Sequence, residues 1–306
     1  MLIGADATTG SILFGGIDTK KYTGDLIAVE VYPTEGRQVT SFTVAFTSLS
    51  ATSSSGSDQL TPSGYAQAAV LDSGTTITLL PNDVIDAVFA ELGASVSEKL
   101  GVPVVPCSLA NNPGTLNYGF GGSGGPTIKV AMSQLVTPLG FSSGEDSTND
   151  NGETLCELGI QAAGTLPVLF GDTFLRSAYV VYDLDNNQIA LAQTDFNSTD
   201  SNIVPFASKG ASIPSATLAS NELAVTATGT SIPHITAATG TAVGTATYNP
   251  TAGYSAASGF QSTQTATSGK KSAAPPVPEP FGGAVTLVMG LMSVGVLLGM
   301  GGFAWL

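Results

Sequence analysis

The chemistry of this chain turns on Asp72. It heads the run Asp72-Ser73-Gly74-Thr75-Thr76, set in "AVLDSGTTITLLP" (residues 69–81) between two short apolar stretches. A carboxylate presented at a tight bend between hydrophobic segments is suited to acid–base work, and such carboxylates usually act in pairs. Two carboxyls about 3 Å apart share one proton, because both cannot ionise so close together. A lone aspartate titrates at about 4 and is mainly ionised at neutral pH. It can act as a base but has no matched acid. The sequence holds no second Asp-Ser/Thr-Gly. The nearest match, Asp150-Asn151-Gly152, lies in the polar run "SSGEDSTNDNGET" with no apolar strand before it, and reads as a loop turn.

Other chemistries have no residues to support them. Two cysteines cannot form a four-thiolate zinc site, and the one histidine, His234, lies in a low-complexity stretch. A Cys/His or Ser/His/Asp system therefore lacks a credible base. The glycines from Gly119 to Gly124 match a dinucleotide-binding pattern, but Pro126 and a strand-like run follow instead of a helix, so no helix end faces a pyrophosphate. No metal and no cofactor are expected. With 23 acidic against nine basic residues the net charge is −14, which repels phosphate backbones, and no basic patch is present to bind nucleic acid. So few bases also suit a protein working in acid. Cys107 and Cys156 read as a disulfide if the chain is secreted, with two free buried thiols as the alternative.

The elements that must position Asp72 are mostly strands. Residues 1–204 read as one β-rich unit, with short apolar or alternating runs at 10–18, 26–33, 40–46, 127–132, 167–175, 178–184 and 188–193. The cluster Asp185-Asn186-Asn187 signals a turn between the last two. After the Asp72 bend, Ile85, Val88, Phe89 and Leu92 recur at helical spacing, with Asn82 placed to cap the start and Gly93 to end the helix.

Composition changes near Pro205. From Gly210 to Gly269 the only formally charged residue is Glu222, and Ser, Thr, Ala and Gly dominate. Residues 205–271 are expected to be a disordered, O-glycosylated stalk, or an unmodified flexible linker. Asn197-Ser198-Thr199 forms an N-glycosylation sequon just before it. Residues 284–306 carry no charge, enough to span a bilayer. With the small residues Ser272-Ala273-Ala274 and a polar spacer upstream, residues 272–306 fit a GPI-attachment signal, Ser268 and Ser272 being candidate attachment residues; a retained tail anchor is the alternative. Residues 1–30 show no signal peptide, which conflicts with both the anchor and the sequon.

In this order, "GSILFGGIDTKKYTGDL", "LDSGTT" and "PVLFGDTFLRSAYVVYDLDNNQIALAQ" resemble the C-terminal lobe of a pepsin-like aspartic protease, most similar to the fungal GPI-anchored yapsin type, over about residues 4–196. The resemblance implies a mainly β lobe and aspartic endopeptidase activity on peptide or protein substrates. Asp72 would be one of two catalytic aspartates, and Ser73 an interlobe hydroxyl grip. Gly74 would donate its N–H to the carboxylate, Thr75 would bond the outer carboxylate oxygen, and Thr76 would face bound peptide. Plain turn capping is the ordinary role for Ser73, Thr75 and Thr76. Leu169, Phe170 and Gly171 would cradle the loop, and Asp172 would serve structure. Cys107 and Cys156 fall where the family has a disulfide. The first lobe, its aspartate, the flap tyrosine and a leader all lack counterparts, so the chain is expected to begin midway through a longer protein and to be inactive without its N-terminal lobe. Two alternatives stand beside this: a non-catalytic cell-surface or wall protein derived from one lobe, and a homodimer pairing Asp72 with its symmetry mate. Either way the expected location is the cell surface, at the plasma membrane or the wall.

Overall fold

Turn chemistry sets the first sheet. Asp183 accepts backbone hydrogen bonds from Asp185 and Asn186, both at 3.1 Å, and Asn187 takes φ 52°, a left-handed conformation that asparagine tolerates. The flanking strands Ala178–Asp183 and Gln188–Thr194 pair antiparallel, and the second pairs again with Tyr22–Glu30. The computed structural model describes residues 1–3, 9–33, 39–139, 148–223, 225–227, 235–236 and 255–261. All of these belong to one unit, Met1–Thr263.

The larger sheet has eight strands and is mixed. Thr127–Ala131, Thr115–Phe120, Thr43–Ser53 and Gln67–Leu71 run in that order, followed by Val168–Phe170, Thr78–Leu80 and Ile160–Ala162. Gly56–Gln59 folds back on Thr43–Ser53 as a hairpin. The apolar residues of this sheet converge on an aromatic cluster. Phe46, Tyr118, Phe120, Phe170 and Phe174 are fully buried, with the rings of Phe170 and Phe174 4.7 Å apart. A third sheet carries the disulfide: Cys156 in Leu155–Leu158 is bonded to Cys107, just beyond Pro103–Pro106.

Several local expectations are corrected. The helix is Asn82–Leu92, ended by Gly93 in the left-handed conformation (φ 66°), but Asn82 does not cap it. Pro81 occupies the cap position, and the Asn82 amide oxygen accepts a hydrogen bond from the Gly164 N–H instead. Residues 167–175 are not one strand. Only Val168–Phe170 is extended, and Asp172–Leu175 forms a helical turn. The N–H groups of Asp172 and Thr173 bond the carbonyls of Thr75 and Thr76, so the ladder cannot continue there. Residues 10–18 split into Gly10–Ser11 and Gly16–Asp18, with Ile12 and Phe14 exposed between.

The change of composition near Pro205 does not end the structure. Ile203–Pro205 pairs with Gly16–Asp18, and Ala216–Leu218 adds a parallel strand to Tyr22–Glu30. Ile213 and Val225 are buried. Backbone pairing needs no particular side chains, so a Ser/Thr-rich segment can extend an open sheet edge. The expected attachment signal lies outside the described residues, and among the described residues no helix is long and apolar enough to cross a membrane.

Candidate active site

The strand Gln67–Leu71 delivers Asp72 to the rim of the large sheet, and the chain returns as Thr78–Leu80. Between these two lies Val168–Phe170, parallel to the first and antiparallel to the second. Both ends of the Asp72 loop are thus bonded to one central strand. The loop is braced from below as well. Asp72 N–H donates to Phe170 O (3.1 Å), Asp172 N–H to Thr75 O (2.9 Å) and Thr173 N–H to Thr76 O (3.1 Å). Gly171 passes so close that a Cβ there would run into the carbonyl oxygens of Thr75 and Ile77. This position requires glycine for want of space, not for its backbone freedom.

Within the loop, the half-buried Asp72 carboxylate is held at both oxygens. Gly74 N–H donates to Oδ1 at 2.9 Å, and Thr75 Oγ1 donates to Oδ2 at 2.6 Å. The latter is within the short range of charge-assisted O–H···O bonds. Ser73 and Thr76 are exposed in the loop. Leu169 is half-buried, while Phe170 and Gly171 are buried beneath the loop.

The sequence reading named Asp172 as structural but missed two of its neighbours, Tyr182 and Arg176. Burial pushes the Asp172 carboxyl up, Arg176 opposes this, and the charge of Asp72 adds to it. Burial also raises the Tyr182 phenol, with the Asp72 charge contributing, and its ring packs 4.4 Å from that of Phe42. The Arg176 guanidinium is buried, which lowers its pKa against the opposing pull of Asp172, and it donates to Gln134 O at 2.5 Å. A single base inside the apolar run "LFGDTFLRSAYVV" was the available signal. Among the described residues no group of three or more His, Cys, Asp or Glu side chains could hold a metal ion. Asp150 sits exposed in a loop turn closed by Gly152 N–H to Asn149 O.

Residues 2–194 match the family model for eukaryotic aspartyl proteases. The chain belongs to that family. A probable aspartic-type endopeptidase, opsB of Aspergillus oryzae, is 42% identical over 220 residues, covering 72% of this chain and 43% of that protein. Secreted aspartic protease 9 of Candida albicans is 37% identical over 201 residues, covering 64% and 34%. Aspartic proteinase 3 of Saccharomyces cerevisiae is 35% identical over 220 residues, covering 70% and 35%. The chain thus spans less than half the length of these aspartyl protease relatives. Among solved structures, an aspartic proteinase from Irpex lacteus matches at 24% identity and a TM-score of 0.45, over 62% of this chain and 53% of that one.

The remaining sequence candidates fall in different places. Asn197 is exposed, its N–H bonded to Asp195 Oδ1 at 3.1 Å. Ser268 and Ser272 lie outside the described residues.

Proposed function

We propose that this chain supplies one half of an aspartic endopeptidase, with Asp72 as one of the two carboxyls that activate water and protonate the scissile amide. One observation carries the reading: Asp72 is held at both oxygens by Gly74 and Thr75 in a loop braced by residues 170–173. Each oxygen keeps acceptor capacity beyond the bond it receives. A second carboxyl brought alongside would share a proton with Asp72, leaving one group as base toward water and the other as acid toward the substrate oxygen and leaving nitrogen. The chain contains one such loop, so the second carboxyl comes from an N-terminal lobe of the same protein. Substrates are peptides or unfolded protein segments. Thr76, exposed at the loop, faces bound peptide, and Ser73 grips the other lobe.

The same reading extends to location. The sequon at exposed Asn197, the bonded cysteines and the uncharged residues 284–306 fit a cell-surface glycoprotein attached by a glycolipid near Ser268 or Ser272. Phosphatidylinositol-specific phospholipase C should then release the protein from membranes. Recovery of a mature C-terminal peptide containing Trp305 would instead make residues 284–306 a retained span.

The catalytic proposal is tested on the longer product that joins this chain to a lobe carrying a second Asp-Thr/Ser-Gly. Pepstatin-sensitive cleavage of a denatured protein at about pH 3–6 is expected, and Asp72→Asn should lower it by about 10³-fold or more. Undiminished cleavage by the variant would remove Asp72 from the mechanism.

A further inference from the structure

Residues 255–261 sit on the lobe, although the Ser/Thr/Ala/Gly-rich sequence around them would predict no packing. Ala256 and Phe260 are buried in the same apolar cluster as the core of the large sheet. Ala257–Phe260 forms one helical turn packed against the Asn82–Leu92 helix and the Thr43–Ser53 strand. Polar contacts fix its register. Ser255 Oγ and Ala256 N–H donate to the two oxygens of Asp58 at 2.9 and 2.7 Å. Ser53 Oγ donates to Ala256 O at 2.7 Å, and Asn112 Nδ2 donates to Gly259 O at 2.8 Å.

Next to this seat lies a group that the protease chemistry does not use. Glu91, on the Asn82–Leu92 helix, is 0% exposed, and neither carboxyl oxygen has a hydrogen-bond partner. Burial first, and the Asp58 carboxylate second, push it up to about 7. When protonated, Glu91 can donate to Asp58. When ionised, it places a second negative charge in a dry site beside Asp58. Among the described residues no Lys, Arg or His charge offsets this. The Gly56–Gln59 strand brings Asp58, residues 255–261 and the Ile160–Ala162 strand bring no charge, and the helix itself adds only Asp83 and Asp86.

We propose that residues 255–261 form a proton-dependent clasp, closing the C-terminal extension onto the lobe while Glu91 is protonated and opening when Glu91 ionises beside the Asp58 carboxylate. The sign follows from linkage. The closed state raises Glu91 from its ordinary 4.5 to about 7, so it binds the proton more tightly than the open state does. Closure is therefore fully present below about 4.5, weakens as pH rises, and reaches its floor above about 7. A difference of that size corresponds to at most about 300-fold in the closing equilibrium. Acid would hold residues 255–261 on the lobe, and neutral pH would move the last held point back toward Ile235–Thr236, which pairs with Thr226–Ala227 and packs on the Gln67–Leu71 strand.

The test is amide hydrogen exchange on the full chain, corrected for intrinsic rates, at pH 4.5, 6 and 7.5. Protection at Ala256, Gly259 and Gln261 should fall with rising pH, while the Gln188–Thr194 strand stays protected. Glu91→Gln, neutral at every pH, should keep the segment protected throughout. Phe260→Ala should expose it at every pH without affecting the distant strand. If Glu91→Gln fails to fold, Asp58→Asn serves instead and must shrink the pH-dependent fall. Wild-type protection that is flat across this range, an unchanged fall in Glu91→Gln or Asp58→Asn, or protection that survives Phe260→Ala would each overturn the clasp.

Discussion

At the scale of single residues, the site depends on two contacts that the local sequence only half announces. Thr75 could have been an ordinary turn cap, but its hydroxyl reaches the outer oxygen of Asp72 at 2.6 Å. Thr75→Val keeps the shape and removes the donor. It should lower stability in urea at pH 7 by about 1.5 kcal/mol, the low end for a bond to a charged group because Asp72 is half-exposed. It should also lower cleavage by the two-lobed product. Gly171 acts by absence. A methyl there meets two backbone oxygens that cannot move without lifting the Asp72 loop from Phe170. Gly171→Ala should therefore cost about 1–3 kcal/mol, and activity should fall more than stability alone explains. Equal urea midpoints for Gly171→Ala and wild type would refute the close approach.

At the scale of elements, Asp18 ties the start of the lobe to the segment that follows residue 200. Burial alone would raise this carboxyl, but hydrogen bonds from Asn202 N–H, Ser201 Oγ and Lys20 N–H, with the charge of Lys21, together hold it below its ordinary value of 3.8. A lowered carboxyl contributes stability that is present above about 3.8 and is lost as pH falls through the lowered value. The pairing of Ile203–Pro205 with Gly16–Asp18 should thus survive mild acid and loosen only in strong acid, as read by exchange at Val204. Asp18→Asn should loosen it at all pH values.

Elements also show what could be read in advance. The alternation across residues 178–193, broken by Asp185-Asn186-Asn187, carries its own hairpin, so local chemistry suffices. The helix and its Gly93 stop were legible for the same reason. The pairing of Val168–Phe170 with strands about 90 residues earlier is a long-range choice, and no nearby residue signals it. The Asn82 side chain was misread because Gly164, remote in sequence, competes for it. The seat of residues 255–261 was invisible because one buried Phe260 and a few backbone bonds suffice to hold a segment whose composition reads as linker.

For the whole molecule, the acidic bias suits the two-carboxyl chemistry proposed for it. A net charge of −14 at neutral pH shrinks as carboxyls protonate, so the lobe avoids a large charge of either sign in mild acid. Family membership and the braced Asp72 loop were legible because the motif is short and contiguous. The source of the proposed partner carboxyl was not, since the chain holds one Asp-Ser-Gly and spans less than half the length of its relatives. The most direct measurement of the central claim is proteolysis by this chain alone. At micromolar concentration and pH 3–6 it should cleave no denatured protein above the level of Asp72→Asn, because one carboxyl cannot serve as both base and matched acid. Pepstatin-sensitive cleavage that rises with the square of chain concentration and disappears in Asp72→Asn would contradict the account, and would mean that two copies pair their Asp72 residues.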